Sequence, residues 1–219
     1  MKFLTIYKFL LILILPFLLF LLVLDYAAFD KEFYEEKFME LNVQRDVPAA
    51  MPLHEKVISF ISGKNNQLPN EFNEREKQHL LDVREIAGIL TIALYALITL
   101  FALLLGISAF ALKISNYLMN FVGKVLVFGS FLTVALAAAL FFLISSDFSN
   151  AFESFHRLFF EKGTYIFDPA NEIIVKLYPE QLFMDIGLRI SKGVFFASAA
   201  AIAIGAFLML KPKRALCKK

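Results

Sequence analysis

The chain of 219 residues is 59% hydrophobic and only 19% charged, and its formal net charge is +2. Soluble domains contain about 45–50% apolar and about 25% charged residues, so the composition excludes a soluble domain and intrinsic disorder. The balanced charge argues against a nucleic-acid binder, and the single cysteine, Cys217, excludes a disulfide framework. The remaining class is an integral membrane protein.

Four apolar stretches are long enough to cross a bilayer core of about 30 Å, which requires about 20 helical residues. They run from Phe9 to Leu24, from Ile86 to Leu112, from Val125 to Ile144 and from Gly193 to Leu210. None contains Asp, Glu, Lys, Arg or His, which argues against an ion-coupled transporter or pump. The first stretch contains Pro16 and is too long for a signal-peptide core, so we predict a retained anchor.

The charges predict the orientation of these spans. Residues 1–8, 113–124 and 211–219 carry only basic charges, whereas all 20 Asp and Glu residues fall within 25–85 or 145–189. Lys and Arg near span ends are retained in the cytoplasm, so both termini are predicted to be cytoplasmic and the acidic segments extracytoplasmic. The predicted fold is an all-α integral membrane protein, a four-transmembrane-helix bundle with an extracytoplasmic cap built from two long loops. Its segments are a first span with its cytoplasmic N-terminus (1–24), outer loop 1 (25–85), a second span (86–112), a cytoplasmic loop (113–124), a third span (125–144), outer loop 2 (145–189) and a fourth span with a basic tail (190–219).

Outer loop 1 is predicted to contain several short elements. They are an amphipathic helix over Phe29–Leu41, a turn region over Val43–Pro52, a helix over Leu53–Ile61 and a loop over Gly63–Pro69. Asn73 and Glu76 have the spacing of a capping box. A helix is therefore predicted to begin at Asn73 and to continue into the second span.

Outer loop 2 has fewer helical signals. A helix is predicted over Phe148–Phe160, followed by a break at Gly163 and a turn at Asp168-Pro169. Pro179 then precedes the run into the fourth span.

The three histidines, His54, His79 and His156, all fall in the outer loops. An unperturbed histidine pKa near 6.5 suits proton transfer at neutral pH. His79 and Asp82 are three residues apart and share one face of a continuous helix, where the carboxylate could orient the imidazole. Each histidine taken alone is more often a surface or packing residue, and no HExxH, CxxC, GxSxG or phosphate-loop motif is present. Spacing alone indicates only a four-span membrane protein with an acidic outer cap.

Two histidine-containing motifs indicate more about function than this spacing does. Residues 76–84 read EKQHLLDVR and are followed at once by the second span, while residues 155–160 read FHRLFF. Further matching positions are Gly163, Phe167-Asp168-Pro169, Tyr178-Pro179-Glu180 and Phe183-x-Asp185. Together they resemble the lipoprotein intramolecular transacylase family of small four-span bacterial membrane proteins. Tyr165 and Glu172 stand where this family more often has Trp and Asp.

The resemblance implies an acyl transfer in the cell membrane of Gram-positive bacteria. The sn-2 acyl chain of a diacylglyceryl-cysteine lipoprotein would move to the α-amino group of the same cysteine, giving the N-acyl S-monoacylglyceryl (lyso) form. Because this amine has a pKa of about 7.7–8, an imidazole is a sufficient base. The acyl donor and the acceptor amine lie on one molecule, so holding the two groups in the right orientation supplies much of the rate enhancement. No cofactor and no metal site are expected.

The resemblance also implies a catalytic pair. His79 is assigned as the general base, and His156 as the group that stabilises developing charge or returns a proton to the glycerol oxygen. The supporting or orienting candidates are Asp82, Arg84, Arg157 and Asp185. Asp82 and Arg84 have structural alternatives that are equally compatible with the sequence: Asp82 would be an interfacial helix cap, and Arg84 a snorkelling anchor. His54 matches no family motif, so its role stays open.

The expected partners are a diacylated lipoprotein with a lipid-modified N-terminal cysteine and membrane phospholipid, with no nucleic acid. The sequence leaves the oligomeric state open, and a monomer is compatible with it. The alternative function is a non-enzymatic membrane protein that binds lipid or a partner through its outer cap. Imidazoles of His79 and His156 within about 10 Å of each other and facing a lipid-lined groove would favour the enzyme, because catalysis needs both groups at one reacting centre. Imidazoles that lie well apart and are buried in ordinary packing would favour the binding protein.

Overall fold

The computed structural model describes residues 2–113, 115–160 and 164–210, and the regular secondary structure in these ranges is α-helical. Four long helices contain the predicted spans, and each is apolar enough to cross a membrane. They are α1 (Lys2–Ala28), α5 (Glu74–Leu112), α6 (Asn116–Ser146) and α9 (Glu180–Leu210). The shorter helices are α2 (Lys31–Glu40), α3 (Val43–Asp46), α4 (Ala50–Ile61), α7 (Phe148–Phe159) and α8 (Ile174–Leu177). The predicted all-α membrane fold is confirmed.

The first of two compact units consists of the described parts of residues 1–24, 93–140 and 190–219. In this unit, which we call the span bundle, Leu11 of α1, Leu104 of α5 and Val125 of α6 belong to one buried cluster. A Cβ atom placed on Gly123 of α6 would lie 2.7 Å from the carbonyl oxygen of Gly205 in α9. Small residues permit such close backbone approach, which matters in lipid because the hydrophobic effect does not drive helices together there.

The second unit consists of residues 25–92 and the described part of 141–189. We call this unit the cap. Its core joins α2, α3, α4 and α8 to the first turns of α5 and α9. The buried residues of this core include Phe33, Tyr34, Phe38, Leu53, Val57, Phe60, Phe72, Leu80, Ile174, Leu177 and Leu182.

Aspartate side chains cap the N-termini of α2 and α7. Asp30 accepts the backbone N–H of Phe33 at the start of α2, and Asp147 accepts that of Asn150 at the start of α7. Such bonds satisfy donors that the first helical turn leaves free. The charged residues of α5 end at Glu85, so we treat only its part from Ile86 to Leu112 as membrane-spanning.

The structure differs most from the predicted elements in three places. The turn region predicted over Val43–Pro52 contains α3 and the start of α4, because proline is tolerated in the first turn of a helix. The connection predicted at 113–124 is helical from Asn116 onward, since α6 begins before its apolar stretch. The four-residue α8 was not predicted. The predicted break at Gly163 and the basic tail with Cys217 lie outside the described residues.

Candidate active site

His79 lies in the second turn of α5, and only 8% of its surface is exposed. Its ring centroid is 4.6 Å from that of Phe160 and 5.3 Å from that of Phe167. Within the described part of the chain, the buried Nδ1 atom has no hydrogen-bond partner. Buried polar atoms are nearly always paired, and an unpaired one often marks a functional site.

His156 lies in the last turns of α7 and is half-buried. Its Nδ1 atom is 2.8 Å from the backbone carbonyl oxygen of Phe152, one helical turn earlier. A carbonyl oxygen can only accept, so Nδ1 carries the proton and donates it. In the neutral ring the Nε2 atom therefore keeps a free lone pair.

Two contacts attach α7 to the start of α9. The ring of Phe152 lies 5.1 Å from that of Phe183, and the hydroxyl of Ser149 donates to the Glu180 carboxylate at 2.5 Å. α7 also exposes large apolar side chains, among them Phe155 and Leu158. The position of His156 is thus set by neighbours within the cap.

The two imidazoles come from separate segments and lie side by side. Their ring centroids are 6.2 Å apart, and the ring planes are inclined by only 20°. Phe160 lies close to both rings, and Tyr165 lies 5.2 Å from His156. The two rings therefore meet the distance that favours the enzyme, and their surroundings are aromatic.

Burial keeps both imidazoles in the neutral form at neutral pH. It lowers the pKa of His79 to about 4, the positive charge that His156 can carry adds to this effect, and Asp82 opposes it. Burial also lowers the pKa of His156, although its bond to the Phe152 carbonyl acts in the opposite direction. A neutral imidazole can accept a proton at one nitrogen and donate from the other.

Asp82 and Arg84 contact groups other than the imidazoles. An Asp82 carboxylate oxygen accepts the Gln78 amide at 3.0 Å, so Asp82 acts on His79 through its charge. The Arg84 guanidinium donates to Asn66 at 2.8 Å and lies 4.6 Å from the Phe60 ring centroid. These contacts brace the loop that precedes α5.

Arg157 and Asp185 also serve neighbouring helices. Arg157 pairs with Glu153 one turn earlier in α7, and Tyr165, the aromatic neighbour of His156, is a weaker electrostatic partner. Asp185 accepts Lys37 of α2 at 3.1 Å and Gln181 of α9 at 3.2 Å. Arg157 is therefore close to the histidine pair, and Asp185 fastens α2 to α9.

The third histidine, His54, belongs to the core of the cap. Only 3% of it is exposed, and its Nδ1 atom is hydrogen bonded to the Tyr178 hydroxyl at 3.0 Å. Its ring also packs 4.1 Å from that of Tyr34. Burial lowers its pKa to about 4. A hydrogen-bonded histidine inside an aromatic core is a packing residue.

The sequence does not predict the tertiary contacts of two buried carboxylates. Glu76 belongs to the capping box and begins the motif of residues 76–84, but its second oxygen also accepts the backbone N–H of Ile174 at 2.7 Å. Glu172 accepts the backbone N–H of Asp168 at 2.5 Å and the Arg75 guanidinium at 3.2 Å. Neither contact has a local sequence signal, because its partner is far along the chain or in an irregular segment. Among the residues that the structure describes, no group of three His, Cys, Asp or Glu side chains is arranged to hold a metal ion.

The fold and the site define a class: a membrane protein with four spanning helices and a stacked histidine pair outside its spans. A family model, that of the lipoprotein intramolecular transacylase Lit, matches residues 9–183. The chain belongs to this family of membrane enzymes, as its motifs predict.

Solved structures share the fold. The membrane-integral lipoprotein intramolecular transacylase Lit from Bacillus cereus gives a TM-score of 0.81 at 22% identity, over 94% of this chain and 96% of that chain. Its variant with one histidine replaced by arginine gives a TM-score of 0.77 at 21% identity, over 94% of this chain and 92% of that chain. A variant with alanine at that histidine gives a TM-score of 0.77 at 22% identity, with 94% of both chains covered. No curated protein sequence matches the chain significantly.

Proposed function

We propose that this protein moves the sn-2 acyl chain of a diacylglyceryl-cysteine lipoprotein to the α-amino group of that same cysteine. The amine nitrogen attacks the ester carbonyl carbon, and the bond between that carbon and the glycerol oxygen breaks. One proton leaves the amine and one proton reaches the glycerol oxygen, so the reaction needs no oxidant, reductant or water. The products are an amide and a free sn-2 hydroxyl on a single lyso-lipoprotein.

The observation that carries the proposal is the stacked pair of neutral imidazoles. Aminolysis needs an acceptor for the amine proton, and His156 offers a free Nε2 lone pair because its Nδ1 atom donates to Phe152. We therefore assign His156 as the general base, which then returns the proton to the glycerol oxygen. The role of general base thus moves from His79 to His156, which keeps the return of the proton to the glycerol oxygen that the sequence already suggests for it.

His79 is better suited to stabilise the oxyanion. A pKa of about 4 makes it a weak base, but it keeps the ring neutral with one N–H available to donate. Neutral histidines of lowered pKa polarise carbonyl groups in other enzymes. Removing one such donor costs about 10²–10³ in kcat.

The substrate fits the surroundings of the site. Phe160, Phe167 and Tyr165 line the imidazoles, the exposed Phe155 ring lies 5.6 Å from His156, and α7 also exposes Leu158. Acyl chains of the lipoprotein and of neighbouring phospholipid would cover this apolar surface. The charge distribution supports cytoplasmic termini and a site at the outer leaflet, where mature lipoproteins carry their modified cysteine.

The test uses purified enzyme in lipid vesicles with a synthetic diacylglyceryl-cysteine peptide, and mass spectrometry of the N-terminus. His156→Asn keeps an amide donor that can reach the Phe152 carbonyl but lacks Nε2, so we expect a loss of about 10²–10⁴-fold in kcat. His79→Phe keeps the ring packing and removes the nitrogens, and we expect a loss of about 10²-fold or more.

The control variant is His54→Gln, which replaces the third histidine and retains a hydrogen-bonding group for Tyr178. Its activity per folded molecule should equal that of the wild type. Wild-type lyso product from both His156→Asn and His79→Phe would contradict the proposal. Binding of the lipopeptide without any turnover in the wild type would favour the non-enzymatic alternative.

A further inference from the structure

Glu76 is a buried carboxylate that makes more hydrogen bonds than a helix cap requires. Only 1% of it is exposed. One oxygen accepts the backbone N–H of Asn73 at 2.7 Å, and the Asn73 side chain accepts the Glu76 N–H at 2.9 Å. These two bonds complete the capping box. The second oxygen is free for another purpose, and it accepts the N–H of Ile174 at 2.7 Å.

Arg75, beside Glu76 in the first turn of α5, holds the same distant stretch of chain. It donates to the backbone carbonyl of Ile166 and to Glu172, and its guanidinium lies 5.1 Å from the Phe167 ring centroid. The first turn of α5 therefore binds residues 166–174 at both ends. We call residues 166–174 the anchored segment.

The anchored segment forms one wall around His79. The ring of Phe167 meets that of His79 edge-on, at 5.3 Å and an angle of 71°. His79 itself follows Glu76 by three residues and so lies on the same side of the helix. Glu76 thus fixes the start of the helix that carries His79 and the segment that covers its ring.

We propose that Glu76 is a positioning residue for the transacylase reaction, holding the anchored segment against His79 so that its imidazole keeps one buried orientation. This inference rests on the proposed function. Glu76 does not touch the reacting atoms. Reacting groups must be held within a fraction of an ångström, because a misplacement of about 1 Å can cost about 10²-fold in rate.

Glu76→Gln tests the proposal with little change in shape. Glutamine still serves in a capping box, but its NH₂ group must face one of the two backbone N–H donors, so one contact is lost. We expect kcat to fall about 10- to 100-fold with an unchanged KM, the pattern of an interaction used in the transition state. Glu74→Gln is the matched control, since Glu74 is an exposed residue of the same turn that pairs with Lys77. It should keep wild-type kcat.

A second readout does not depend on turnover. NMR of protein labelled at its three histidines gives the pKa of each ring. In Glu76→Gln the pKa of His79 should rise from about 4 toward the ordinary 6.5 as water reaches the ring, while that of His54 stays near 4. A purely structural role would not shift His79 alone.

Wild-type kcat together with an unshifted His79 in Glu76→Gln would overturn the proposal. If that variant does not fold, Arg75→Gln is the test instead. The Arg75 side chain is half-exposed, and its replacement removes the contact that holds the Ile166 end of the anchored segment. An unchanged kcat and His79 pKa in Arg75→Gln would then overturn it. An inactive wild type would refute the proposed function, and the His79 titration would still test the positioning.

Discussion

Two buried histidines with equally lowered pKa values differ in their hydrogen bonding. His54 satisfies its Nδ1 atom through Tyr178, whereas the Nδ1 atom of His79 has no partner in the described part of the chain. A buried polar atom without a partner costs about 1–3 kcal/mol. His54 therefore stabilises the cap, whereas His79 carries a cost that the proposed oxyanion-stabilising role would account for.

His54 makes the stability of the cap depend on pH. Its pKa is about 4 in the folded protein and near 6.5 in the unfolded chain, so the unfolded state binds the proton more tightly. The stability that it contributes is complete above pH 6.5 and is lost as the pH falls toward 4. The full loss is about 3 kcal/mol.

We expect the double variant His54→Phe with Tyr178→Phe to weaken this pH dependence. It fills the same aromatic site and leaves no hydroxyl unpaired. Thermal unfolding in detergent at pH 7 and pH 4.5 should show a smaller drop in Tm for the variant than for the wild type. Because His79 also titrates in this range, part of the drop should remain. Equal drops in both proteins would show that His54 is not the cause.

At the level of single residues, the sequence predicts local contacts well. The capping box of Asn73 and Glu76 is confirmed because both partners lie within one turn. The contact between Glu76 and Ile174 could not be predicted, since it depends on the tertiary fold. The approach of His79 to His156 was expected from family motifs, and their spacing alone does not indicate it.

The elements of the span bundle are joined by close contacts at glycine. A Cβ on Gly123 would lie 2.7 Å from the Gly205 carbonyl oxygen, and a Cβ on Gly205 would lie 2.8 Å from that of Gly123. These atoms belong to helix backbones and cannot move aside locally. The contact between α6 and α9 therefore requires glycine on both sides.

Gly123→Ala should destabilise the protein by about 1–3 kcal/mol, the usual cost of overpacking. Gly106→Ala in α5 is the control, because a Cβ there meets nothing within 4 Å and alanine has the higher helix propensity. Thermal unfolding in detergent should show a lower Tm for Gly123→Ala and an equal or higher Tm for Gly106→Ala. Equal Tm values for the two variants would contradict tight packing at Gly123.

Long elements were predicted more accurately than short ones. The four spans follow from apolar runs of helical length, and α2 and α7 differ from their predicted ranges by one or two residues. The short helices α3 and α8 span only four residues each. Such segments are too short to show a helical period, so their structure depends on packing in the core of the cap.

For the whole molecule, composition predicted the fold class and charge predicts the orientation. The spans contain no Asp, Glu, Lys, Arg or His, and every Asp and Glu residue lies in 25–85 or 145–189. The histidine pair, the carboxylate that anchors residues 166–174 and the amphipathic α7 all belong to the cap. The proposed chemistry therefore belongs to the cap, and the span bundle supplies membrane-spanning helices.

The central claim is that the acyl chain stays on one molecule, and a crossover experiment tests it directly. One lipopeptide carries a heavy peptide and a light sn-2 chain, and a second carries a light peptide and a heavy sn-2 chain. Wild-type enzyme given both should produce lyso-lipopeptides in which each peptide is N-acylated by its own chain, as mass spectrometry would show. Products that combine a heavy peptide with a heavy chain would reveal transfer between molecules and contradict the account.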